Sequence, residues 1–184
     1  MRRITDADEF TCGRVALRLV RPDDCNERYL QWLNDGAVNR YLETRWTAQS
    51  LESIVQFVAG ARAAQDSYLF AIIQRPPGRH IGNIRIGPIN PHHAYGDISY
   101  FIGERDLWGQ GYATEAIRCA TDVGFRVLGL HRLQAGVYAE NVASARALER
   151  VGYVLEGRFR RQLRSGVGWE DHLWYGLLGD EFKA

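Results

Sequence analysis

The chain lacks most of what staples or anchors a small protein. It has three cysteines, Cys12, Cys25 and Cys119. They lie far apart with no Cys-x-x-Cys spacing, which excludes a disulfide framework and a zinc site and fits a reducing compartment. Neither sign of charge dominates. A net charge of +1 offers no electrostatic case for a nucleic acid or a membrane as partner. No apolar run approaches the ~20 residues needed to span a bilayer. The opening MRRITDADEF carries two arginines without an apolar stretch behind them, so no secretory signal is expected and a cytoplasmic location is. Repeats, low-complexity tracts and linkers are missing, which predicts one domain over residues 1–184.

The residues present are those of a folded globular chain. Hydrophobic residues make up 46% and charged residues 24%, a balance that argues against disorder and allows a core with no metal or disulfide. Val15–Arg21 alternates and reads as a strand ended by Pro22. Asp23 or Asp24 is placed to cap a helix carrying Tyr29, Leu30 and Leu33, closed by Asn34-Asp35-Gly36. Ser50 caps a second helix with Ile54, Phe57, Val58 and Ala61 on one face. Ser67–Gln74 and His80–Gly87 are strands about a Pro76-Pro77-Gly78 turn. After a loop over 87–95 come a strand (Gly96–Gly103), a helix (Tyr112–Val127), a strand (Leu130–Tyr138) and a short helix (Asn141–Val151). Two strands near 153–164 and 167–178 turn at Ser165-Gly166. The fold class is α/β, a mixed and mostly antiparallel sheet with helices packed on it.

The segment Trp108-Gly109-Gln110-Gly111-Tyr112-Ala113-Thr114-Glu115-Ala116 carries the most chemical information. It leaves a strand and opens a helix. Its glycines let backbone amides approach a ligand, and the first-turn amides of the helix lack internal partners at its positive end, which suits phosphate. A dinucleotide fingerprint wants a sixth-position Gly or Ala near the first strand, and Thr114 stands there past mid-chain. A nucleotide P-loop needs Gly-Lys-Ser/Thr. By itself Gly-x-Gly also serves as a turn that starts a helix.

The segment resembles the acyl-CoA loop of the GNAT acetyltransferase superfamily, whose pattern is Arg/Gln-x-x-Gly-x-Gly/Ala. Gly111 and Ala113 take the small positions, and Trp108 stands where many members have Arg or Gln. The form is similar to the ribosomal-protein N-terminal acetyltransferase (RimJ/RimL-like) branch. Nearly the whole chain agrees in order: Val15–Leu19, Ile81-Gly82-Asn83-Ile84, Asp97–Ile102, Asn141-Val142-Ala143-Ser144, Leu148–Tyr153, Glu156-Gly157, and Asp171 with Tyr175.

The resemblance implies a GNAT acyl-CoA N-acyltransferase fold, with a twisted sheet, two splayed parallel strands and flanking helices. It implies acetyl-CoA as cosubstrate without a metal, and an amine acceptor, either a small molecule or a protein N-terminus. It leaves room for a homodimer. Pantetheine is then expected beside Phe101, Ile102 and Gly103, and pyrophosphate on the amides of the Trp108–Thr114 segment (Trp108, Gly109, Gln110, Gly111, Tyr112, Ala113 and Thr114). Asn141 is expected to touch CoA, although it also suits a plain N-cap. Ser144 is the expected proton donor to the thiolate, with Tyr153 as rival. Asp97 is the expected general base, or else a surface strand carboxylate; it shares a strand face with Ser99 and Phe101. Glu104 and Glu115 read as solvated or structural. Arg158, Arg160, Arg161 and Arg164 read as edge charges or as an attractor of acidic groups. His92 and His93 have no third ligand at metal spacing. The segment Tyr41–Trp46 is either an acceptor-site wall or a packed connector. A different class remains open, a non-catalytic acyl-CoA sensor that keeps the loop without an acid or base; an RNA-binding reading rests on the arginines alone.

Overall fold

The computed structural model describes residues 2–166 and 168–183. Its strands are β1 (Glu9–Cys12), β2 (Val15–Leu19), β3 (Tyr68–Gln74), β4 (Arg79–Asn90), β5 (Tyr95–Ile102), β6 (Arg132–Tyr138), β7 (Val154–Ser165) and β8 (Gly168–Leu178). Its helices are α1 (Glu27–Asn34), α2 (Leu51–Ala63), α3 (Tyr112–Asp122) and α4 (Val142–Val151). The strands form one sheet in the order β1-β2-β3-β4-β5-β6-β8-β7, antiparallel except between β5 and β6.

Both faces of this sheet are covered, and the central strands show it. In β3, Phe70 and Ile72 enter the core under α3 and α4, while Leu69, Ala71 and Ile73 enter a second core under α1 and α2. A strand buried on both faces reads as a continuous apolar run rather than an alternating one. The α3 face is built from Tyr112, Ala116, Ile117, Cys119 and Ala120, a helical stripe. Beyond Asp122 the chain continues in a wider π turn, Val123–Val127.

Several local expectations are corrected. Asn26 caps α1, accepting from the Arg28 and Tyr29 amides. Asp24 is buried instead, and both its oxygens take hydrogen bonds at 2.7 Å from Arg18. The Arg18 guanidinium, six residues back on β2, outcompetes the helix start because it offers a charged, bidentate partner. Burial alone would raise the Asp24 pKa; Arg18 and the Arg21 amide hold it below the usual carboxylate range. β2 ends at Leu19, and β1, too short to show periodicity, pairs with it. The loop expected over 87–95 is shorter, because β4 runs on to Asn90 and β5 begins at Tyr95. Val167, expected to open the last strand, lies outside the described residues.

His80 joins the same polar cluster. Its Nε2 lies 2.8 Å from Asn83 Oδ1 and 3.0 Å from the Gly82 carbonyl, and its Nδ1 3.7 Å from Asp24. Burial pushes the His80 pKa down, against the pull of Asn83 and Asp24. The folded state therefore binds this proton less readily than the unfolded state, whose imidazole titrates near 6.5. The stabilisation is present above that pH and lost as pH falls through the lower folded value. Melting temperature should fall more steeply below pH 6.5 in the wild type than in His80→Gln; parallel curves from pH 8 to 5 would show that His80 is not the group responsible.

Candidate functional site

β5 and β6 pair only at Tyr95–Arg132, Gly96–Leu133 and Asp97–Gln134. Beyond Asp97 both strands continue without bonding to each other, β5 to Ile102 and β6 to Tyr138. The sheet thus opens in a V with Asp97 at its vertex. Peptide groups alternate between the two edges of a strand. The Gly103 N–H donates to the Ile81 carbonyl at 2.8 Å on the β4 side. Ser99 and Phe101 therefore serve β4, and the peptide groups of Tyr100 and Ile102 face the gap.

A cleft of about 660 Å³ runs through this opening. On the α4 side it reaches Asn141 and Ser144; on the other it reaches Tyr29, Asn83 and Arg85, with Asp97, Ser99 and Phe101 along β5. Asn141 caps α4, its Oδ1 accepting from the Ser144 amide at 3.3 Å. The Ser144 carbonyl accepts from the Tyr100 hydroxyl at 3.2 Å. Burial pushes the Tyr100 hydroxyl up to about 12, so it stays protonated. Asp97 Oδ1 accepts from Gln134 Nε2 at 2.8 Å.

The glycine loop stands at the open end of the V. Gly109 and Gly111 have φ of +73° and +89°, and Gly111 is the N-cap residue of α3. Among the described residues the Gly109, Gln110 and Gly111 amides donate to no backbone carbonyl, and the first turn of α3 adds unpaired amides. Two fixings hold the loop. Trp108 donates its indole N–H to the Ile102 carbonyl at 2.9 Å. Arg14, in the β1–β2 turn, donates to the Gln110 carbonyl at 2.8 Å and pairs with Glu115. Glu115 is therefore structural, and so is Glu104, paired with Arg79. The Tyr112 side chain is buried, with its hydroxyl on Gln74, so only its backbone faces the loop.

Other sequence candidates fall elsewhere. Tyr153 is not brought to the cleft. It is 2% exposed, and its hydroxyl lies 3.0 Å from the buried Thr121 hydroxyl; burial raises its pKa. Gly103 is small for the protein's own sake, since a Cβ there would sit 2.1 Å from the Trp32 ring. Among the arginines, Arg158 pairs with Asp171, and Arg164 lies over Trp169 at 5.6 Å. Among the described residues no cluster of His, Cys, Asp and Glu is arranged to hold a metal, and no helix is long and apolar enough to cross a membrane.

Within the segment 41–46, Tyr41, Leu42, Glu43 and Thr44 line the cleft. Tyr138 donates to Glu43 at 2.6 Å and receives from Arg45 at 2.9 Å, while Arg45 stacks over Trp46 at 4.2 Å. Sequence reasoning missed His172, Trp174, Tyr29 and Arg85. His172 lies so close over Gly136 that a Cβ there would meet its Nε2 at 2.2 Å. Burial lowers its pKa, against the nearby Glu43. Arg85 did leave a signal: it is the one charge in the apolar run Ile81–Ile86.

Comparison with known proteins gives a consistent picture. The family described as Acetyltransferase (GNAT) domain matches residues 14–154. An uncharacterized N-acetyltransferase of Bacillus subtilis, YnaD, is 28% identical over 95% of this chain and 99% of its own. The spermidine N(1)-acetyltransferase of Escherichia coli K12 is 27% identical over 80% of this chain and 77% of its own. Mycobacterium smegmatis RimJ, solved with CoA-disulfide, superposes with a TM-score of 0.83 at 24% identity, covering 96% of this chain and 90% of that one.

Proposed function

The chain belongs to the GNAT acetyltransferase family, and from that premise we propose that it acetylates a small-molecule primary amine by direct transfer within the β5–β6 cleft. It is an acetyl-CoA-dependent N-acetyltransferase with the GNAT fold. The observation that carries the acceptor reading is the cleft itself, which Tyr41, Glu43 and Tyr138 help to line. A cleft of this size suits a small ligand.

Each step has a group to perform it. The amides of the Gly109–Thr114 turn hold the pyrophosphate, and Asn141 contacts the cofactor beside Ser144. The gap-facing amides of β5, at Tyr100 and Ile102, pair with pantetheine and polarise the thioester carbonyl as charge develops on its oxygen. Asp97 takes a proton from the amine through a water, freeing the nitrogen lone pair to attack the carbonyl carbon. As the C–S bond breaks, Ser144 passes a proton to the leaving sulfur and recovers one from the nitrogen, which sheds it as the amide forms. RimJ, at 24% identity, speaks to the fold alone; a protein N-terminus is the competing acceptor.

Two measurements test this. Acetyl-CoA should raise the melting temperature, since a ligand at 100 times its dissociation constant adds ~2.7 kcal/mol, roughly 5–10 °C for a chain this size. Thiol release from acetyl-CoA should then exceed background hydrolysis with at least one amine from a panel of amino acids, polyamines, amino sugars and N-terminal peptides. Acetylation of the peptides alone would replace the small-molecule reading with the protein one.

A further inference from the structure

Arg85 is a cation without a counterion at the acceptor end of the cleft. It sits in β4, flanked by Leu69 of β3 and Ser99 of β5, on the face that also carries Asp97 and Phe101. Its Nη2 donates to the Ser67 hydroxyl at 3.0 Å, and its Nε is enclosed with no acceptor at all. Among the described residues no carboxylate comes within ion-pairing distance of it. A half-buried guanidinium left in this state is costly unless an anion completes it.

The acids that border the cleft do not supply that anion. Glu43 already accepts from Tyr138 and, at 3.2 Å, from the Trp46 indole. Asp97 is turned toward Gln134. The charge that balances Arg85 must therefore arrive with the ligand. We propose that the acceptor carries a carboxylate as well as its amine, making it an amino acid or a close relative, and that Arg85 is the specificity-determining residue that binds the carboxylate. The inference rests on the acetyltransferase reading and deepens it.

The spacing agrees. Arg85 lies directly across from Ser99, and Asp97 is the next residue along β5 on the same face. Diagonal neighbours of this kind are ~7–8 Å apart at Cα, a span that an amine, its adjacent carboxylate and one bridging water can fill. Apolar contacts from Leu33, Phe57 and Trp174 around the same cleft leave room for a hydrophobic side chain. A polyamine, by contrast, would bring its further ammonium groups toward the unpaired guanidinium, where like charges repel.

The test uses matched pairs: phenylalanine with phenethylamine, leucine with isoamylamine, and spermidine as the polycation. With the wild-type protein and acetyl-CoA, kcat/KM should favour the amino acid over its decarboxylated partner by about 10- to 100-fold, the usual worth of a charged hydrogen-bonded pair. In Arg85→Met that ratio should collapse toward one, and Arg85→Lys should recover part of it. Reading a ratio cancels any general loss of folding or activity in the variant. A wild-type preference for spermidine or the decarboxylated amines overturns the proposal, as does a ratio unchanged in Arg85→Met. If acetyl-CoA binds but no amine of any kind is acetylated, the acetyltransferase reading itself has failed and the inference falls with it.

Discussion

Gly111→Val is expected to abolish acetyl-CoA binding while the chain still folds. Gly111 has a φ of +89° and caps α3. A β-branched residue forced into that region stores ~1–3 kcal/mol of strain, which the loop relieves by rotating its peptide planes. Those planes carry the amides proposed to hold the pyrophosphate. The added Cβ would also stand 3.4 Å from Arg14 Nη2, the group that fixes the Gln110 carbonyl. Gly78→Val is the control. Gly78 has a φ of +93° with nothing within 4 Å of its Cβ position, so it imposes similar strain in a turn outside the loop. Calorimetric titration should show no acetyl-CoA binding by Gly111→Val and near-normal binding by Gly78→Val. Normal binding by both would reduce the loop to a helix start.

The second large effect is expected on turnover rather than affinity. Ser144→Ala should lower kcat by ~10²–10⁴, the usual worth of a placed general acid, and leave the acetyl-CoA dissociation constant within a few-fold. Its backbone is anchored on both sides, by Asn141 and Tyr100, so the alanine keeps its position and loses only the hydroxyl. Tyr153→Phe should instead cost stability, because its hydroxyl is committed to Thr121 inside the core. Cys12, Cys25 and Cys119 should each be replaceable without loss of turnover, since direct transfer forms no acyl-enzyme; an acetyl-cysteine trapped by mass spectrometry would overturn this. Tyr100, whose hydroxyl donates to the Ser144 carbonyl, also lines the cleft. If Ser144→Ala and Ser144→Ala/Tyr100→Phe both turn over at the wild-type rate, the proton comes from water and the assignment is lost.

Some of this site was legible in the sequence and some was not, for identifiable reasons. The glycine loop was legible because positive-φ glycines, followed by a helical stripe, leave a local mark. Asn141 was legible as the cap of α4, whereas Ser144 was singled out by the family resemblance and not by any local pattern. The face shared by Asp97, Ser99 and Phe101 follows from the two-residue period of a strand. The partner of Asp24 was not legible, because a capping position and a buried ion pair demand the same residue type and only the fold chooses between them. The Arg45–Tyr138–Glu43 contact joins residues nearly a hundred positions apart, which no local pattern encodes. Arg85 lies between these cases. A single arginine within Ile81–Ile86 announces something unusual, but its lack of a counterion depends on what β3 and β5 bring beside it.

The short seam between β5 and β6 has a mechanical consequence. Five strands lie on one side of it and three on the other, and only three residue pairs bond across it. The sheet therefore behaves as two leaves joined at one corner, with the free edges of both leaves exposed to whatever enters. A pantetheine arm lying along that edge, as proposed above, would act as a missing ninth strand and should stiffen the leaves against each other. Amide hydrogen exchange at Tyr100 and Ile102 should slow sharply when acetyl-CoA is present. β6, β8 and β7, although some of them never touch the ligand, should gain protection with them as one unit.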